Sequence, residues 1–251
     1  MKYFEKAVII GATSAIAHEV ARLLVQNNTR KLILVGRNSE KLEQNKLDLK
    51  ALASPVDCEI ETIVQDDFSD VSQINETVNS CVQGTSPNLV FIAHGFMPAQ
   101  EDCQKDLGLT SAALIVNGVS PCLFAEAFAE RLQYESNSTI AVIGSVAGDR
   151  GRLSNYVYGA GKGLIETFLQ GLMHRFGLKG PKISLIKPGP TLSPMTAGLY
   201  EKKLASPKDV ASTILKGISK NKRVIYVPIK WSFIMLIVRN LPYFVFNKIK
   251  I

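Results

Sequence analysis

The chain predicts an α/β fold: a doubly wound parallel sheet of about seven strands with helices on both faces. Three observations predict it. Short β-rich apolar runs begin at Lys6, Lys31, Glu59, Asn88, Thr139, Lys182 and Arg223, with helical patterns between most of them. Runs such as Thr139-Ile-Ala-Val-Ile are apolar without alternation, as expected of strands buried on both faces. The 251 residues are 46% hydrophobic, enough to bury one sizeable core, and no repeat, low-complexity segment or Pro/Ser-rich linker interrupts them. Residues 1–251 therefore read as one domain.

Taken in order, residues 6–11 form a buried strand that stops at Gly11, and residues 12–25 follow with helical periodicity. A helix that starts straight off a strand offers backbone N–H groups and the positive end of its dipole, which together bind a pyrophosphate. The second strand, 31–36, comes at the spacing of a dinucleotide-binding half. Gly36 stands where an acid would meet ribose hydroxyls, and Arg37 follows it. A guanidinium without the acid suits a 2′-phosphate, so NADP(H) is favoured over NAD(H). The other reading of Arg37 is a solvated side chain beside Asn38, a residue placed to cap the helix over 39–52. The fourth strand spans 89–93. Within the helical stretch 111–134, Gly118 and Pro121 close behind Asn117 predict a local irregularity. The strand 139–144 leads into Ser145 and sets that hydroxyl at a carboxyl end, where ligands bind in open α/β sheets. From 158 to 172 no proline intervenes and apolar residues recur at helical spacing, so Tyr158 and Lys162 share one helix face.

A hydroxyl, a phenol and an ammonium beside a nicotinamide can protonate a carbonyl oxygen while hydride arrives at its carbon. Free phenol has a pKa near 10, so proton exchange near neutrality needs the anion stabilised. A positive charge at about 4 Å and an effective dielectric of about 20 supplies roughly 4 kcal/mol, or about two to three pKa units. Ser145, Tyr158 and Lys162 are thus the candidate catalytic residues of a carbonyl reductase. Tyr226 and Lys230 repeat the spacing, but Pro228 between them is incompatible with a helical pair.

In this order and spacing, these residues resemble the short-chain dehydrogenase/reductase family over nearly the whole chain. The resemblance implies a Rossmann-type fold. It assigns the glycine-rich turn to Gly11-Ala-Thr-Ser-Ala-Ile-Ala17, with Gly11, Thr13, Ser14 and Ile16 as cofactor-binding positions. Asp67 falls on the adenine side, Ala93 and Gly95 follow the fourth strand, and Pro188-Gly189 flanks the nicotinamide. Tyr158 and Lys162 serve both cofactor and chemistry, and Asn117 matches the asparagine whose water links the lysine to solvent. Two departures stand out. The family's turn usually carries three glycines, whereas Ala15 and Ala17 take the second and third places here, a loss that is tolerable if both are already helical. His94 in Ala93-His-Gly95 replaces the middle of the usual Asn-Ala-Gly; it invites a chemical role, but its position fits support beneath the adenosine better.

Within the family, the opening turn and the apolar, basic carboxyl terminus are similar to reductases of a polyprenyl-phosphate-linked 2-keto-pentose in arabinose-donor formation. That similarity implies a keto-sugar substrate, a partner oxidase that completes an epimerisation, and a place in cell-envelope polysaccharide synthesis. A lipid or steroid ketone reductase would share every catalytic residue, and a nucleotide-sensing scaffold without activity would share the fold. A homo-oligomer is expected. The substrate-facing stretch is 190–207, with Ser193 and Met195 near the nicotinamide, too short for a bulky lid.

Residues 201–251 hold eleven Lys or Arg against Glu201 and Asp209, a balance of +9 that leaves −2 on the first 200 residues of a chain at +7. The segment 229–251 interleaves this charge with Trp231-Ser-Phe-Ile-Met-Leu-Ile-Val238 and Leu241-Pro-Tyr-Phe-Val-Phe246. Arg239 and Pro242 interrupt it, so it is too short to span a bilayer, but its composition suits the surface of one. The competing reading packs it on its own domain or on a partner subunit. Contiguous aliphatics between the lysines argue against nucleic acid. Four cysteines about twenty residues apart signal neither disulfides nor zinc, and no metal is expected. The early apolar run stops at Gly11 and is no secretory stretch, so the protein is expected in the cytoplasm, peripheral at the inner face of the membrane.

Overall fold

The computed structural model describes residues 3–53, 58–196 and 204–249. Its strands are β1 (Lys6–Ile10), β2 (Lys31–Gly36), β3 (Glu59–Val64), β4 (Leu89–Ile92), β5 (Thr139–Ile143), β6 (Lys182–Pro188) and β7 (Val224–Val227). All seven pair in parallel in the order β3-β2-β1-β4-β5-β6-β7. Every expected strand start is met within one residue. The order reverses between β1 and β4, the switch point at which such sheets open a ligand crevice.

The helices, in chain order, are α1 (Ala15–Gln26), α2 (Ser39–Ala53), α3 (Val71–Val82), α4 (Gln100–Lys105), α5 (Leu107–Leu114), α6 (Ser120–Arg131), α7 (Tyr156–Phe176), α8 (Pro207–Ser219), α9 (Lys230–Asn240) and α10 (Tyr243–Phe246). β1 shows why its sequence carries no alternation. Ala7 and Ile9 pack with α1, α2 and α8 through Val20, Leu24, Leu42 and Ile214, whereas Val8 and Ile10 pack with α3, α6 and α7 through Val78, Phe128 and Leu169. Successive strand side chains point to opposite faces, so a strand covered on both must be apolar throughout.

Two sequence expectations are corrected. The first helix does not begin at Ala12: residues 11–14 form a turn, closed by Ser14 N donating to Gly11 O at 3.0 Å, and α1 starts at Ala15. Nor is 111–134 one helix. A π-helical turn, Ile115–Val119, separates α5 from α6. Its position has a packing cause: a Cβ on Gly118 would lie 2.9 Å from the Gly161 carbonyl oxygen, so this turn and α7 approach through glycine. By length and hydropathy (25 residues, 1.6) Leu107–Arg131 could cross a membrane, yet Phe124, Ala125 and Phe128 within it belong to the core.

The carboxyl-terminal hairpin packs on its own domain along one side. Met235 is buried, and Trp231 sits against Gly189 so closely that a Cβ there would lie 1.9 Å from its indole nitrogen. The Arg150 guanidinium donates to the carbonyls of Val238 (2.6 Å) and Leu241 (2.7 Å) and stacks 3.8 Å from the Phe246 ring centroid. A cation at a helix carboxyl end meets unpaired carbonyls and the negative end of the dipole. The other side leaves Ile229, Phe233, Leu236, Ile237, Tyr243 and Phe244 exposed.

Candidate active site

A cavity of about 710 Å³ lies above the carboxyl ends of β1 to β6. Its lining begins at Gly11. There φ is +80°, and a Cβ would lie 2.6 Å from the His94 backbone nitrogen, so conformation and space both demand glycine. Thr13, Ser14 and Ile16 line the same wall. Ala15 and Ala17 are already helical, which removes any need for glycine freedom at those two places. Ser14 makes no capping bond and no acid occupies the first turn of α1, so neither its N–H groups nor its dipole is offset there. These residues fit the pyrophosphate of a dinucleotide.

Farther along, Arg37, Asn38 and Lys41 line the cavity beyond Gly36. Asn38 Oδ1 accepts from Lys41 N at 2.8 Å, the expected cap of α2, while exposed Arg37 reaches the cleft. Asp67 also lines it; hydrogen bonds from the Ser69 hydroxyl (2.6 Å) and backbone (2.7 Å) hold its carboxyl below the usual range. Ala93 and Gly95 complete the floor.

His94 Nε2 lies 2.8 Å from Ser120 Oγ, and Ser120 donates its proton to Phe68 O at 2.6 Å. The imidazole must therefore donate through Nε2. Its ring meets Phe68 edge-on, centroids 4.9 Å apart. Burial, reinforced by Lys162 and Arg37, pushes its pKa down to about 3, so it is neutral at any working pH and serves as support.

At the other end, Ser145, Tyr158 and Lys162 line one wall. Ser145 Oγ accepts from Ala147 N at 3.1 Å and caps the 3-10 turn Val146–Asp149, a bond that leaves the hydroxyl proton unused. Lys162 is buried; its Nζ donates to Ile143 O at 3.1 Å and lies 5.8 Å from the Tyr158 ring centroid. Desolvation lowers the ammonium's pKa to about 8, opposed by Cys122.

Asn117 lies in the π-helical turn, fully buried, and does not line the cavity. Its Nδ2 donates to Phe96 O (2.6 Å) and Ala113 O (2.9 Å), and its Oδ1 accepts from Phe96 N (3.1 Å). A Cβ on Gly95 would lie 2.8 Å from Asn117 Oδ1 and 3.4 Å from Lys162 Nζ, so amide and ammonium meet over that glycine.

Pro188, Gly189, Ser193 and Met195 line the cavity, while residues 197–203 of the 190–207 stretch lie outside the described residues. Sequence reasoning missed Arg152 and Asn155, which also line it. Their only signal was lying between Ser145 and Tyr158 in the chain. It also missed a buried cluster of Asp149, Glu166, Lys187 and Tyr226, for which no spacing rule exists. Tyr226 lies on β7 and Lys230 opens α9, so that pair shares no helix.

The short chain dehydrogenase profile matches residues 5–204. An uncharacterized oxidoreductase of Mycobacterium tuberculosis is 27% identical over 244 residues, covering 96% of this chain and 95% of its own. Among solved structures, a short-chain dehydrogenase from Sphingobium yanoikuyae in complex with NADPH superposes with a TM-score of 0.77 at 18% identity, covering 91% of each chain. Another from Burkholderia phymatum, in complex with NAD, reaches 0.82 at 18% identity over 94% of each. At such identities the structures attest the fold alone. With the family profile spanning most of a cleft-forming sheet, the chain belongs to the short-chain dehydrogenase/reductase family, NAD(P)-dependent oxidoreductases acting on CH–OH and keto groups.

Proposed function

We propose that the protein is an NADPH-dependent carbonyl reductase with Tyr158 as proton donor. The observation that supports this most is the shared cavity: Ser145, Tyr158 and Lys162 line the same space as Gly11 and the start of α1. The hydride would come from a nicotinamide held in that cavity. Ser145 uses its free proton to orient the carbonyl oxygen, and Tyr158 gives that oxygen its proton. Lys162 faces the phenol and holds the ribose; with a pKa of about 8 it is mostly charged at neutrality and stabilises the phenolate left behind. Asn117, meeting Lys162 over Gly95, sustains the return of the proton.

Arg37 with Lys41, and Gly36 in place of an acid, favour NADPH. Asp67 takes the adenine side, with Thr13, Ser14, Ile16, Ala93, Gly95, Pro188 and Gly189 around the dinucleotide, and Ser193 and Met195 toward the substrate. The favoured substrate is a keto-sugar, polyprenyl-phosphate-linked, fed by a partner oxidase in envelope polysaccharide synthesis. The exposed apolar side of α9 and α10 supports residence at the inner membrane face, and equally supports a lipid or steroid ketone as the second reading.

The test is NADPH oxidation with polyprenyl-phosphate keto-sugars against acyl and steroid ketones, using native protein and Tyr158→Phe. The variant should still bind NADPH and lose about 10²–10⁴-fold in kcat. Near-native turnover by it would refute the mechanism, and NADPH binding without oxidation by the native protein would favour the scaffold.

A further inference from the structure

Lys187 lies on β6 directly before Pro188 and is 2% exposed. Its ammonium pairs with Asp149, lies 2.7 Å from Glu166 Oε2 and is 3.5 Å from the Tyr226 hydroxyl. Three N–H donors thus have three oxygen partners. Tyr226 is the register partner of Lys187 across β6 and β7, and its hydroxyl lies 3.2 Å from each Asp149 oxygen. The Asp149 side chain is completely buried and that of Glu166 is 16% exposed. Burial alone would lower the Lys187 pKa, but Asp149 and Glu166 outweigh it and hold it above the ordinary lysine value.

The partners are placed on the parts of the reaction centre. Asp149 ends the 3-10 turn that Ser145 caps. Glu166 sits one turn beyond Lys162 on the helix of Tyr158. Lys187 itself leads into Pro188 and Gly189 at the cavity wall. We propose that Lys187 is a positioning residue whose ammonium ties the Ser145 turn, the Tyr158–Lys162 helix and the Pro188–Gly189 turn into one geometry. A well-packed apolar cluster of the same volume would hold the core together as well or better. What it lacks is direction, which three hydrogen bonds from one nitrogen supply.

The proposal rests on the carbonyl-reductase reading, so its test has a readout apart from turnover. Lys187→Met alone leaves the buried carboxylate of Asp149 and that of Glu166 without their cation, which destabilises the fold; the decisive protein is Lys187→Met/Asp149→Asn, which removes one charge of each sign. Thermal stability, kcat and KM are measured together with hydrogen–deuterium exchange of residues 145–149, 156–166 and 187–189. The expected result is a near-native Tm, kcat lower by at least about tenfold with KM changed much less, and faster exchange in all three segments, since misplacement by about 1 Å costs about 10²-fold. Native kcat at native Tm, or unchanged exchange in those segments, would overturn it. If the native protein reduces no ketone, the functional reading fails while exchange still decides the tether.

Discussion

Lys162 shows what burying a charged side chain does to stability. Its folded pKa of about 8 lies below the 10.5 of an unfolded lysine, so between those values the unfolded state holds more protons. Below pH 8 the buried ammonium therefore destabilises the fold, by up to about 3 kcal/mol, and the penalty is relieved as pH rises from 8 to 10.5. Lys162→Met keeps the aliphatic stem and removes the charge. It should raise Tm at pH 7 by a few degrees, with the gain vanishing by pH 10.5, while ketone reduction falls by at least about 10²-fold. Calorimetry across that range with parallel NADPH oxidation checks both signs; a variant less stable than native at pH 7 would show that the Ile143 hydrogen bond outweighs desolvation. At His94 the same burial has the opposite use, since a ring held neutral at a pKa near 3 contributes shape and one donor only.

At the scale of elements, the carboxyl ends of β1 to β6 each bring residues to the cavity. The proposed preference for NADPH rests on the turn from β2 to α2, where Gly36 brings no acid and Arg37 and Lys41 bring charge to the cleft. Arg37→Ala should lower kcat/KM for NADPH by about tenfold or more and leave that for NADH nearly unchanged, as charge-assisted contacts to a phosphate contribute about 1.5–3 kcal/mol each. Steady-state rates with both cofactors test this, and equal native rates would refute the preference. The π-helical turn between α5 and α6 was foreshadowed by Gly118 and Pro121, but its consequence was not. That turn carries Asn117 to Phe96 and Lys162 because Gly118 lets the backbone meet Gly161, a contact 43 positions along the chain.

Across the whole molecule, charge and apolar surface converge on the carboxyl terminus, where residues 201–251 carry +9 against −2 elsewhere. Aromatic and aliphatic side chains exposed beside such charge suit an anionic leaflet, at about 1 kcal/mol per cation. Native protein should sediment with phosphatidylserine-containing vesicles at low salt and less so at high salt, whereas a form ending at residue 228 should not. Failure of the intact protein to sediment would leave the apolar side to a protein partner. That deletion would also bare Gly189 by removing Trp231, so lower activity in it is expected on packing grounds alone. The strand sequence, the glycine at 11 and the helix face shared by Tyr158 and Lys162 were legible in the chain because each depends on neighbours in sequence: burial on two faces, a positive φ, a four-residue repeat. Only the tertiary structure decided that Asp149, Glu166, Lys187 and Tyr226 share one buried site, that Arg150 holds α9, and that Asn117 lies behind the cleft. Those contacts join residues tens of positions apart, and local periodicity carries no information about which distant polar groups burial will force together.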